Sequence, residues 1–455
     1  MLKKVNEKQK RLSADEIPHV RIADAKFPAP FRSGLEYSSP ARGTWNIVHT
    51  GMLIPEAHEI FVCAAGCLRG VVLTAAEMGT TDRFSTVAVR ENNLLDGDME
   101  DLVIEGVTDI INKLPKRPPA VLVYTSCVHH FTGVDLDMIY ATLRSRFPDI
   151  DFTDCYMNPI MRKSGLTPDQ LMRSRLYMLL HERGKNPDAV AIIGNDLPTD
   201  EDSDLMQVLK GAGRKVHEIT SCKTYAEYQE MAESSVYVSY NPDAAPGGDM
   251  LAERLGGTHY ALKFSFDYDE IDATFAGLAE VLGIEPRSND EIAALRAECE
   301  KELKETKELI GDTPVSIDYT YCPRPLGLAK LLLEHGINVT RVYVDGIPGG
   351  DRAAFDSLQK DHPDLMIYPT VHPGMRFART ANVEAESGVK VLAVGQKAAA
   401  FEETGRFVNV VEGGGMTGYE AISRTCRLMR EAYCEEKPMR DLVQVKGLGC
   451  EVCIR

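Results

Sequence analysis

The sequence predicts an α/β protein of three Rossmann-like domains, each a parallel sheet flanked by helices. Short, wholly apolar runs alternate with stretches of helical periodicity from about Asn46 onward. Apolar strands without polar alternation are those covered on both faces, which means βαβ units and parallel sheets. A chain of 455 residues is also too long for one hydrophobic core.

In order, strands are expected at 120–124, 189–193, 235–239, 315–317, 342–344, 365–368 and 391–394. The first is followed by a helix over 137–146, and the second by the exit loop Gly194-Asn195-Asp196. A helix begins at Pro168, with Thr167 as its cap. The charged segment 286–312 has helical periodicity and reads as a connecting helix. The expected units are 1–160, 161–300 and 301–455, each of ordinary domain size. The first thirty residues show no periodicity and are expected to wrap or trail.

With 44% hydrophobic and 26% charged residues the composition is that of a soluble globular protein. A net charge of -17 argues against nucleic acid, which wants a basic surface. Met1-Leu2-Lys3-Lys4 leads into polar residues rather than an apolar signal, and no 18-residue apolar stretch would span a membrane. The expected location is cytoplasmic. In a reducing compartment the eleven cysteines are then ligands, catalytic groups or small core residues rather than disulfides.

The informative cysteines are Cys63, Cys67 and Cys127. An apolar strand ends at Cys63, a small-residue turn follows, and Cys67 stands near the start of a helix running to Met78. Exposed N–H groups there favour a thiolate or an anionic cluster. Cys127 lies sixty residues on, where the strand 120–124 exits through Thr125-Ser126. Adjacent strand exits of one parallel sheet can bring three thiols to one spot. Spacing alone leaves packing and cluster ligation both open. A Cys-x3-Cys-x2-Cys loop is excluded, because position 70 is Gly70.

Gly66-Cys67 at a strand-to-helix junction, then Thr125-Ser126-Cys127 with Gly133-Val134-Asp135 six residues beyond, resembles the nitrogenase component 1 family. That family includes the molybdenum–iron protein subunits and the dark-operative protochlorophyllide reductase. The third unit adds similar elements: the 328–336 stretch (L-A-K-L-L-L-E-H-G), Asp364-Leu365-Met366-Ile367, and Gly415-Met416-Thr417-Gly418-Tyr419-Glu420. The likeness covers about 43–433. It implies that Cys67 and Cys127 ligate an iron–sulfur cluster, [4Fe-4S] or a larger one shared between subunits. The family's first ligand lies further upstream, where this chain has Gly43-Thr44-Trp45, and Cys63 is the expected substitute. It also implies a homodimer, or a heterotetramer with a sister subunit. With no Gly-x4-Gly-Lys-Ser/Thr loop in the chain, ATP is left to a separate iron protein that delivers electrons.

Catalytic subunits of the family hold a large cofactor with a Cys in the second domain and a His in the third. Here 236–241 has no Cys and 407–409 has no His. Candidates to line a central cleft are His129, His130, Cys322 and His372. Arg162, Lys163, Arg173 and Arg175 read as solvated helix charges or as a grip for a carboxylate. Cys450 and Cys453 end the chain as a metal-binding or redox pair, or as a tail without a role. The leading expectation is a reductase subunit acting on a small molecule. The alternative is a non-catalytic scaffold on which an iron–sulfur cofactor is assembled.

Overall fold

The structure, a computed structural model, describes residues 17–37, 39–41, 47–157, 166–380 and 390–443. Gly43 to Trp45, Arg162, Lys163, Cys450 and Cys453 lie outside the described residues.

The N-terminal segment contributes β1 (Val20–Arg21). The first sheet takes β2 (His58–Ala64), β3 (Phe84–Val89), β4 (Ala120–Ser126) and β5 (Asp151–Met157). The second takes β6 (Asn186–Ile192), β7 (Lys215–Glu218), β8 (Ser234–Ser239) and β9 (Thr258–Ala261). The third takes β10 (Val315–Asp318), β11 (Val339–Tyr343), β12 (Met366–Tyr368), β13 (Leu392–Val394) and β14 (Phe407–Val408).

The sheet orders are β3-β2-β4-β5, β7-β6-β8-β9 and β1-β12-β11-β10-β13-β14. All pairings are parallel except β1 with β12, which runs antiparallel along the edge. The N-terminal segment therefore wraps onto the third sheet. In each sheet the chain winds outward to one side and then returns to the other. The reversals fall between β2 and β4, β6 and β8, and β10 and β13. Ligands of open α/β sheets bind beyond the strand ends at such reversals.

Side chains of the central strands alternate between two buried faces. In the first sheet Phe61, Cys63, Leu122 and Tyr124 pack into one core, and Ile60, Val62, Val121 and Val123 into another. The helices Ala65–Glu77 and Met99–Lys113 cover these opposite faces through Leu68 and Val71, and through Val103 and Val107. The expected connecting helix runs Asn289–Ile310, capped by Ser288, and buries Cys299 and Leu303. Among the described residues no helix is long and apolar enough to cross a membrane.

Two local expectations change. Where a loop was expected after β4, the strand passes directly into the short helix Cys127–Thr132, whose left-handed end at Gly133 leads into the helix Leu136–Arg146. Thr167 caps the helix Pro168–Arg175 as expected, its hydroxyl accepting from the Gln170 N–H. Its arginines, however, are not solvated: Arg173 is 1% exposed, and Arg175 pairs with Asp154 at 3.0 Å.

Candidate functional site

Strands β2 and β4 are neighbours, with Val62 opposite Thr125, so Cys63 and Cys127 stand at the same end of the two strands. Cys63 is still inside β2 and fully buried, facing the core beneath the Ala65–Glu77 helix. Ala64 is extended, and the helix starts at once, which makes Cys67 its third residue and leaves it exposed. Cys127 opens its own helix and is half-buried. Burial first, and then the neighbouring Cys67 and Cys127, push the Cys63 thiol up to about 12. The three sulfurs are thus within electrostatic reach of one another.

Among the described residues no three His, Cys, Asp or Glu side chains converge closely enough for a single metal ion. A cluster of several irons is larger and takes its thiolates from farther apart. Three thiols at two adjacent strand ends, two of them reaching the surface, suit that larger group. Bound metal would also hold the Cys63 sulfur as a thiolate, which its burial opposes. Beside them, Gly66 and Gly70 have no atom within 4 Å of where a Cβ would stand, so the chain's own packing does not call for glycine there.

The histidines next to Cys127 do not join the thiols. His129 is buried and its Nδ1 accepts from the Ser126 N–H at 3.1 Å. Burial lowers its pKa, and the carboxylate acting on it is Glu100, on the helix covering the sheet face opposite Cys63. His130 is exposed beside Phe131. His372 is exposed too, its Nδ1 accepting from Gly374 N–H at 3.0 Å. Cys322 is buried in a cavity wall, where burial raises its thiol pKa.

That cavity, about 570 Å³, lies between the strand ends of the second and third sheets. The exits of β6 and β8 supply Asn195, Asp196, Tyr240 and Asp243, and those of β10 and β11 supply Tyr319, Cys322 and Asp345. Asp169 and Arg173 enter from the Pro168–Arg175 helix, and Glu412 from the loop before the last long helix. Arg173 pairs with Asp196 at 2.5 Å and Asp169 at 3.0 Å, and donates to the Gly194 carbonyl at 2.5 Å. Burial raises the pKa of Asp196, opposed by Arg173 and by a hydrogen bond with Glu412. Asp243 is likewise raised by burial and by the charge of Asp169.

Cys63 shares one core with Tyr124 and with Met172 of the intervening helix. Tyr124 of β4 approaches Met172 Sδ at 3.4 Å, and the next residue is Arg173 of the cavity wall. Sequence reasoning missed the cavity's acids. Three of them, Asp196, Asp243 and Asp345, lie just past strand ends, which is the one signal that could have marked them.

The nitrogenase component 1 type oxidoreductase family model matches residues 48–400. No curated protein matches the chain. A solved structure of nitrogenase Cp1 at pH 6.5 superimposes with a TM-score of 0.62 at 14% identity, covering 89% of this chain and 94% of that one. A second, of nitrogenase Cp1 at pH 5, gives 0.55 at 12% identity, covering 89% and 90%. At such identity the likeness is one of fold, while the family match spans most of the sequence. The chain belongs to the nitrogenase component 1 type oxidoreductases.

Proposed function

We propose that this chain is the iron–sulfur subunit of a two-component reductase, with Cys63, Cys67 and Cys127 as cluster ligands and the cavity between the second and third sheets as the substrate site. The observation that carries the reading is the convergence of three thiols at the β2–β4 reversal, with Cys67 and Cys127 open to the surface. When bound, the cluster would supply one-electron transfer at low potential. The chain's own part is to hold it and to link it to the substrate. Cys63 anchors it to the rigid strand, and Cys67 sits where helix N–H groups favour negative charge. Tyr124 and Met172 give a contiguous packed path toward Arg173 and the cavity.

Three thiolates leave room for a fourth ligand, or for a larger cluster shared with a second subunit. Family kinship supports a homodimer or a heterotetramer with a sister subunit, and an ATP-dependent iron protein as electron donor. A cytoplasmic location goes with that chemistry. No observation favours the scaffold alternative.

The test is electron delivery. The anaerobically purified, iron-loaded chain is mixed with a family iron protein and ATP, and its EPR spectrum followed. An ATP-dependent change, lost in Cys67→Ala, is expected. Bound iron that stays unchanged by iron protein and ATP contradicts the two-component reading.

A further inference from the structure

The central cavity carries a strongly one-sided charge. Five carboxyl groups line it (Asp169, Asp196, Asp243, Asp345 and Glu412), and among the described residues Arg173 is the only basic side chain doing so. That guanidinium is 1% exposed, and its charge is already taken up by Asp196 and Asp169. It is therefore not available to grip an incoming anion.

Two of the remaining acids, Asp243 and Asp345, are held by neutral hydrogen-bond donors. Asp345 accepts from the backbone N–H of Thr370 at 2.7 Å and of Val371 at 3.1 Å, neutral donors that orient it, while the buried Lys397 ammonium acts on it electrostatically. Asp243, among the described residues, accepts from the Gln170 amide at 3.2 Å, again a neutral group. Asn195, 3% exposed in the same wall, has its Oδ1 buried without a hydrogen-bond partner among the described residues. The Thr199 hydroxyl donates to Glu218 and shares a further hydrogen bond with Tyr240 at 3.2 Å. The wall is thus rich in acceptors. Between them stand flat apolar faces: Phe264, Tyr240, Tyr319 and the prolines 242, 323 and 348.

We propose that this cavity binds an organic cation, a protonated amine or amidinium on a flat apolar body, seated between the aromatic walls with its N–H groups on Asp243 and Asp345. Aromatic faces and carboxylates both attract such a group, and a water-poor cleft strengthens both. An anionic ligand would instead have to force the carboxyl groups to take up protons. Carboxylate- and phosphate-bearing substrates are thereby disfavoured. The inference rests on the reading of this cavity as the substrate site, but not on the cluster.

The test uses two probes of equal shape and opposite charge, benzamidinium and benzoate, titrated into the full-length chain by calorimetry. Iron is determined on the same preparation. Saturable benzamidinium binding without benzoate binding is expected, weakened about tenfold in Asp243→Asn and in Asp345→Asn. Asp345→Asn disturbs a loop and Asp243→Asn does not, so agreement between the two separates charge from folding. Benzoate binding, binding of neither probe, or benzamidinium binding unchanged in Asp243→Asn overturns the proposal. Each of those outcomes can occur with iron present, which leaves the reductase reading standing. Conversely, selective benzamidinium binding by a chain that takes up no iron would keep the cavity's charge preference and remove the redox role.

Discussion

Arg173 and Asp196 form an ion pair at 2.5 Å in which each side chain is 1% exposed. The arginine comes from the helix packed against the first sheet, and the aspartate from the exit of β6 in the second. One contact therefore fixes the cavity wall relative to the sheet that carries the thiols. Asp169 and the Gly194 carbonyl take up the guanidinium's other donors.

Removing the arginine leaves the buried Asp196 carboxyl, and the half-buried Asp169 beside it, without their cation. Breaking a buried pair from one side typically costs about 3–5 kcal/mol. Arg173→Met should lose roughly that much in urea unfolding at neutral pH. A loss within about 0.5 kcal/mol, the range of an ordinary surface substitution, would show that the pair does not hold the wall.

The cysteines should separate by burial when the chain carries no metal. Cys67 is exposed, so Cys67→Ala should move the unfolding free energy by no more than about 0.5 kcal/mol. Cys63 packs in the core of the first sheet, and Cys63→Ala should cost about 1 kcal/mol or more. Equal costs in chelator-treated protein would mean that the two thiols do not sit as described.

Lys397 gives a pH prediction. It is 1% exposed, donates to Ser39 Oγ at 2.6 Å and to the Pro40 carbonyl at 3.1 Å, and lies over the Tyr319 ring. Burial lowers its pKa from 10.5 to about 8, with Asp318 and Asp345 opposing. Below pH 8 the folded chain bears the full cost of a buried ammonium, on the order of 3 kcal/mol. Between pH 8 and 10.5 the unfolded chain holds more protons, so this residue's contribution to stability rises with pH. The stability of Lys397→Met relative to wild type should therefore fall across that window. A constant difference, measured by denaturant unfolding at several pH values, would contradict it.

The fold was legible where strands are buried on both faces, because continuous apolar runs such as β4 and β6 have few other readings. It was obscure at the sheet edges. Strands β3, β5, β7 and β9 mix polar with apolar residues, as in Asp151-Phe152-Thr153-Asp154 of β5, and carry no clean period. The thiol site was legible because strand, turn and helix start are all local. The cavity was not. Asp169, Asp196, Asp345 and Glu412 come from four separate segments, and only the packing of the second sheet against the third brings them together. Arg173 looks like any charged helix residue until Asp196, twenty-three residues on, is placed beside it.

The central claim is that Cys63, Cys67 and Cys127 hold an iron–sulfur cluster. It is tested most directly by iron and acid-labile sulfide content, with EPR, on chain purified without oxygen after expression with cluster-assembly machinery. Wild type is compared with Cys67→Ala and Cys127→Ala. About four irons per chain, or more for a shared cluster, with loss of iron and sulfide in both variants, is the predicted result. Wild-type protein without iron, or variants that keep all of it, would contradict the account.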